Sequence, residues 1–396
     1  MIKKTPYSSW AIKGLPKGCR FCVEGEKLVL FITGKCSRKC YYCPLPEGRI
    51  GKDVVWANER MLSNPDAVNE AIEEAEKSGA KGMGITGGDP LLVVERVCKY
   101  VKNFKKRFGK RFHVHIYLPT LLVTEKNIEK LAKSGIDEVR FHPEFLNFDN
   151  VRIREKEILK INLANKIAKK YKWEVGCEIP VIPKTERKII YFVDSIKNYI
   201  SFLNLNELET SVLNAPFLIS RGFRIYPDSA VKGSKESALA VLKWADRNVK
   251  NAKLKNIHYC SAATKNLFQY KNRLRRRLKN IFKPYNMITK DDTLYRAAIY
   301  MPSLKPDIAY AERLRSIKTS EKQKIIKKLE KMREKLMKKF QIPSKLVEID
   351  KERLRILTSV EIAKKIGQDI KVHGLDVAFV EELPTYDSQI LQLEWL

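Results

Sequence analysis

Residues 64–86 read NPDAVNEAIEEAEKSGAKGMGIT, a stretch that divides into a helix followed by a strand. Residues 64–79 carry helical periodicity, with Pro65 in the first turn and Gly79 just past the end. KGMGIT (81–86) then reads as a strand. Upstream, KLVLFIT (27–33) is an unbroken apolar, β-branched run of the kind buried on both faces of a sheet. Downstream the same rhythm continues: PLLVVERVCKYVKNFKKRFG (90–109) as helix, RFHVHIYL (111–118) as strand, TEKNIEKLAKSG (124–135) as helix and IDEVRFHP (136–143) as strand. A helix near 154–171, the strand WEVGCEIPVI (173–182), a helix near 185–200 and the strand FLNLNEL (202–208) follow. Strict alternation over six such units predicts an α/β fold, a parallel sheet covered by helices that is doubly wound or closes as a barrel. In barrels the chemistry sits in loops at the C-terminal ends of the strands.

Beyond about Gly222 the rhythm is lost. A basic segment, YKNRLRRRLKNIFKP (270–284), precedes a strand-like LYRAAIYMP (294–302) and a long helix near 320–341. That helix places Ser320 and Gln323 in capping-box relation and Ile325, Ile326, Leu329, Met332, Leu336 and Phe340 on one face. A small α/β tail follows Pro343. The expected organisation is an N-terminal extension (1–26), a core (27–222), a basic segment closing onto the core (223–290) and a C-terminal helical and small α/β part (291–396).

With 396 residues, 44% of them hydrophobic, the chain can bury one large core or two smaller ones. No apolar run approaches the roughly 18–20 residues a membrane helix needs, and no apolar h-region follows the N-terminal lysines. A cytoplasmic location without membrane association is expected. There, eight cysteines read better as reduced metal ligands than as a disulfide framework. Lys and Arg total 77 against 46 Asp and Glu, a net charge of +31. A thermophile surface raises Lys and Glu together and leaves the balance near neutral. The excess therefore predicts a polyanionic partner, with nucleic acid ahead of a membrane because no amphipathic anchor accompanies the charge.

GKCSRKCYYCP (34–44) lies in the loop after the first strand and spaces Cys36, Cys40 and Cys43 as C-x3-C-x2-C. Three thiolates fit three irons of a [4Fe–4S] cube and leave the fourth open for a small chelating molecule. The alternatives are a zinc knuckle lacking a nearby fourth ligand, or structural thiols. ITGGDPLL (85–92) ends the second strand, where Gly87 and Gly88 let the backbone approach a ligand and Asp89 offers a carboxylate for an ammonium group.

Together these two motifs resemble the radical S-adenosylmethionine (SAM) superfamily, in which a cysteine loop and a Gly-Gly-Glu-Pro stretch follow the first two strands of a partial (β/α)6 TIM-like barrel. Asp89 stands where Glu is commoner. The arrangement looks most like the branch containing the pyruvate formate-lyase activating enzymes, in particular an archaeal-looking group, over about residues 27–210. The resemblance implies that the open iron binds the amino and carboxylate groups of SAM and that one electron breaks its sulfonium C–S bond. The resulting 5′-deoxyadenosyl radical abstracts hydrogen from an unactivated C–H bond, chemistry that side chains lack. It also implies an electron donor of flavodoxin or ferredoxin type and a place for Tyr42 near the adenine.

Later strands end in His115, Tyr117, Arg140, His142, Glu178, Asn206 and Glu209. By position, His142 and Glu178 look like the family's contacts to SAM. The remaining clustered cysteines suggest an auxiliary zinc or second iron–sulfur site built from Cys19, Cys22, Cys260 and His258, with Cys177 as another possible ligand and Cys98 a small core residue. Around 270–284, Lys271, Arg273, Arg275, Arg276, Arg277 and Lys279 with Tyr270, Phe282 and Tyr285 are suited to phosphates and unpaired bases. The expectation that follows is a radical SAM enzyme modifying RNA, with tRNA the leading substrate. The alternatives are an activating enzyme that places a glycyl radical on a protein partner, and a non-catalytic, cluster-stabilised RNA-binding protein.

Overall fold

The computed structural model describes residues 1–372 and 374–396. Two compact units divide the chain, Met1–Arg276 and Arg277–Leu396, with the boundary inside the helix Lys271–Ile281.

The first unit is built on seven parallel strands: β1 (Lys27–Phe31), β2 (Gly82–Thr86), β3 (His113–Pro119), β4 (Glu138–His142), β5 (Glu174–Val181), β6 (Phe202–Glu207) and β7 (Asn256–Cys260). They follow one another in sheet order as in sequence. Each next strand is joined through a helix, as the alternation predicted. The seventh strand was not expected. It extends the core past residue 222 and pairs in parallel with β6, Asn204 opposite His258 and Asn206 opposite Cys260. Antiparallel pieces flank both ends, Trp10–Ile12 beside β7 and Trp56–Ala57 beside β1, so the sheet is an open arc and the barrel is partial.

Local chemistry explains where the helices stop and start. Thr124 Oγ1 accepts the Asn127 N–H and Asn150 Oδ1 accepts those of Arg152 and Ile153, so each occupies an N-cap. Gly135, at φ +105°, ends the helix Glu125–Ser134 in the left-handed region. Leu28, Met83, Val114, Val139, Cys177 and Leu203, pointing outward from the strands, make the core under the helices.

The barrel interior is polar at its lower end, and a helix plugs it. Lys17–Val23 enters from the side where the strands begin, its Gly18 N–H donating to Glu138 Oε2 at 2.9 Å. A Cβ on Gly18 would stand 2.5 Å from Arg140 Nη2 and 2.7 Å from Glu138 Oε1, so any larger residue would have to displace these buried groups. Phe21 of the same helix stacks on His113, 5.2 Å between ring centroids.

The second unit is an antiparallel sheet, ordered Val347–Asp350, Arg355–Thr358, Leu294–Tyr300, Asp376–Glu382 and Ile390–Trp395, with Met287–Ile288 paired to the third of these. The helix Thr319–Phe340 packs Leu329 and Leu336 into its core. Its N-cap is Lys318, without a side-chain cap; Ser320 lies inside the helix, one residue past its first, and the expected capping box does not form. Arg355 is fully buried between Asp350 at 3.0 Å and Glu382 at 2.7 Å.

Candidate active site

The loop after β1 is folded back on itself by two backbone bonds, Gly34 N–H to the Lys52 carbonyl and Gly51 N–H to the Gly34 carbonyl, both 2.8 Å. The end of β2 is stitched to it: Gly88 N–H donates to the Thr33 carbonyl and Asp89 N–H to the Lys35 carbonyl, each at 2.8 Å. Gly87 has φ +141°, and a Cβ on Gly88 would overlap the Lys35 carbonyl. Both glycines are therefore needed for the two loops to close together.

This closure leaves a cavity of about 450 Å³ at the C-terminal end of the strands. Cys36, Cys40, Cys43, Tyr42, Gly87, Gly88, His142 and Glu178 all line it, as do His115, Tyr117, Asn206 and Glu209. Asp89 takes another place. It is fully buried and accepts from Ser37 Oγ at 2.5 Å and from Leu91 N–H at 3.0 Å, so its carboxylate braces the cysteine loop from behind.

Arg38, which the sequence did not single out, does the bracing on the other side. Its guanidinium reaches the His142 carbonyl (3.2 Å), Thr120 Oγ1 (2.7 Å) and Glu157 Oε1 (2.8 Å), fixing the segment between Cys36 and Cys40 to the end of β4. His142 is neutral: burial lowers its pKa to about 4. Its Nδ1 faces the Glu178 carbonyl at 3.2 Å, which can only accept, so Nδ1 carries the proton and Nε2 accepts from the Tyr42 hydroxyl at 3.0 Å. Glu178 receives Arg140 Nη1 on one oxygen (2.6 Å) and Asn206 Nδ2 on the other (2.7 Å).

One wall of the cavity comes from a segment with no signal in the sequence. Thr264–Tyr270 is a π-helical turn, a form frequent at functional sites, and it brings Lys265 and Gln269 to the cavity. Lys265 pairs with Glu209, and Gln269 Nε2 donates to Cys260 Sγ at 3.4 Å. Over the top, Asn214 Nδ2 holds the Tyr42 carbonyl at 3.0 Å and Arg221 lies 4.2 Å from the Tyr41 ring centre.

Among the described residues, no three His, Cys, Asp or Glu side chains converge on a point that could hold one metal ion. The thiolates of a four-iron cube each bind a different iron, and three cysteines on one cavity-lining loop suit such a cluster. The expected auxiliary set is not gathered into a single-ion site. Cys19 faces Asn204 Oδ1 at 3.8 Å, Cys260 takes the Gln269 bond, and only Cys22 of these cysteines reaches the cavity. Cys177 is a core residue, and Cys98 Sγ donates to the Lys130 carbonyl between two helices.

The arginine run expected to meet RNA is partly turned inward. Arg273 pairs with Glu59 at 2.5 Å, Arg276 donates to the Gly79 carbonyl at 2.7 Å and reaches Glu26 at 3.4 Å, and Arg277 is buried. Lys271, Arg275 and Lys279 are the exposed cations of that helix.

A sequence model of the radical SAM superfamily matches residues 30–196. A Methanocaldococcus jannaschii protein, provisionally named a glycyl-radical enzyme activating enzyme, is 43% identical over 286 residues, 71% of this chain and 72% of that protein. A GTP 3′,8-cyclase of Aliarcobacter butzleri is 26% identical over 181 residues, covering 44% of this chain and 52% of the cyclase. Among solved structures, Streptococcus suis SuiB bound to its precursor peptide SuiA shares 13% identity at a TM-score of 0.41, over 61% of this chain and 51% of that one. No helix among the described residues is long and apolar enough to cross a membrane.

Proposed function

The chain belongs to the radical SAM superfamily, whose enzymes use a [4Fe–4S] cluster to cleave SAM reductively, and from that premise we propose that it activates a protein partner by placing a glycyl radical on it. The observation that carries this reading is the 43% identity to the Methanocaldococcus jannaschii protein, sustained over 72% of its length. The RNA expectation has lost part of its support, since Arg273 and Arg276 hold carboxylates and a carbonyl of their own chain.

In this reading Cys36, Cys40 and Cys43 hold the cluster, and Gly87, Gly88, Tyr42, His142 and Glu178 surround SAM. Cluster and SAM together supply the 5′-deoxyadenosyl radical that abstracts hydrogen. The chain's residues do the rest. Asp89 and Arg38 keep the cysteine loop in one conformation, so its three thiols stay on the cavity wall. Neutral His142 fixes the Tyr42 ring by accepting a hydrogen bond from its hydroxyl. Arg140 and Asn206 occupy both oxygens of Glu178 and keep that carboxylate in one orientation at the cavity edge. The segment 209–231 is tied to Tyr41 and Tyr42 through Asn214 and Arg221, which holds that end of the cysteine loop in place.

The test is electron paramagnetic resonance of a glycyl-radical protein incubated anaerobically with the reconstituted enzyme, SAM and a reductant. A glycine-centred signal that vanishes without SAM is expected. Cleavage of SAM with no radical on the protein, accompanied by a modified nucleoside in tRNA, would overturn the reading.

A further inference from the structure

Reductive cleavage needs one electron from outside for each SAM, and the structure shows where the cysteine loop can be approached without crossing the SAM cavity. Cys40 lines two cavities. On its inner side is the cavity described above; on its outer side is a groove of about 490 Å³ between the cysteine loop and the helix Val151–Tyr171. Leu121, Leu146 and Ile153 supply its apolar surface.

The groove's charge is one-sided once its internal pairs are taken out. Glu157 is buried and neutralised by Arg38. Lys160 spends its ammonium on the Thr120 and Leu121 carbonyls, both at 2.7 Å, and forms no ion pair among the described residues. Lys39 and Lys156 are exposed, and among the described residues neither has a carboxylate within ion-pair distance. Glu144 is the remaining acid, with one oxygen held by Asn147 Nδ2 at 2.8 Å. Three lysines thus face one carboxylate around an apolar patch directly outside Cys40.

We propose that this groove docks an acidic one-electron carrier protein, with Lys39, Lys156 and Lys160 steering it to the outer side of Cys40. The inference rests on the reading of Cys36, Cys40 and Cys43 as the cluster ligands. The electron balance is simple: the carrier would lose one electron, the cluster held by Cys36, Cys40 and Cys43 would pass it on, and SAM would take it up as its sulfonium C–S bond breaks to methionine and the 5′-deoxyadenosyl radical. Small, charge-steered contacts of this type bind weakly and associate fast, which suits a partner that must leave after each turnover. Separation also keeps the two substrates from competing for one opening.

The experiment compares the full-length holoprotein with K39E/K156E, with the neutral K39Q/K156Q, and with K327E/K331E, which makes the same charge change at exposed lysines of the helix Thr319–Phe340. The first readout is binding of an oxidised acidic flavodoxin, followed by its flavin fluorescence over a range of salt. K39E/K156E should weaken binding about tenfold or more and flatten its salt dependence, K39Q/K156Q should fall between, and K327E/K331E should stay within about twofold. The second readout is 5′-deoxyadenosine release, which should fall in K39E/K156E with reduced flavodoxin as donor and stay unchanged with dithionite. Equal weakening by K327E/K331E would show that overall charge and not this groove attracts the carrier, and would overturn the proposal. So would unchanged binding in K39E/K156E. Wild type that cleaves no SAM even with dithionite would remove the cluster reading and this inference with it.

Discussion

Arg140 Nη1 sits 2.6 Å from Glu178 Oε2 inside the barrel, and the same guanidinium holds Glu138 Oε1 at 2.6 Å on its other side. Arg140 is 1% exposed and Glu138 not at all, so this triad spans from the helix plug to the cavity in a nearly dry interior. Removing the arginine strands two buried carboxylates. Arg140→Met should therefore cost about 3–5 kcal/mol in urea unfolding, and Glu138→Gln/Arg140→Met together should cost less than the single change. Additive losses would show that the three groups are not coupled.

Lys27 gives the first unit an unusual pH dependence. Burial lowers its ammonium pKa from 10.5 to about 7, while its Nζ donates to the Met83 carbonyl at 3.2 Å. The unfolded chain keeps that proton up to about pH 10.5 and the folded chain loses it near 7, so stability rises with pH across that window and is level below it. The full span is on the order of 5 kcal/mol. Lys27→Met should flatten the rise between pH 7 and 10, read from denaturant midpoints. Parallel profiles for the two proteins would contradict this.

Asp350 gives the second unit a slope of the same sign at the acid end of the scale. Burial pushes its carboxyl up, but Arg355, Arg353 and Arg296 outweigh that and hold it at about 2. A depressed carboxyl stabilises the fold above the unfolded value near 4, and the contribution is lost as pH falls through about 2. Asp350→Asn should unfold at higher pH than wild type under acid titration monitored by circular dichroism, and should lack the pH 4 to 2 component.

The fit between Gly88 and the Lys35 carbonyl predicts a separation of binding from folding. Gly88→Ala must push the cysteine loop outward, so iron content and 5′-deoxyadenosine release should drop at least about tenfold while thermal unfolding changes little. Replacing Cys36, Cys40 and Cys43 by alanine should abolish both outright, measured by iron analysis and chromatography. Retained SAM cleavage in that triple variant would refute the ligand assignment.

The first six strands were legible because each is a short apolar run bounded by turn residues and followed by one helical period. β7 was not. His258 faces the polar lower barrel and interrupts the apolar pattern, and a long excursion precedes it. The place of the cysteine loop beside the cavity followed from its position after β1, whereas Lys265 comes from a π-helical turn 56 residues after its partner Glu209, a distance no local pattern spans. The partners of the arginine run were hidden for the same reason. Its carboxylate Glu59 lies 214 residues upstream of Arg273, so the sequence displayed the charges without displaying what cancels them.

The helix plug also bears on the order of events in synthesis. Gly18 bonds to Glu138, 120 residues later; Cys19 meets Asn204, 185 residues later; and Trp10–Ile12 pairs with Ile257–Tyr259 at the far end of the arc. The segment 10–23 therefore emerges from the ribosome well before Glu138, Asn204 and the last barrel strand, and completes its contacts only once that strand is made. It should be the segment most open to proteolysis on nascent chains, and the last to gain amide protection when the full protein refolds.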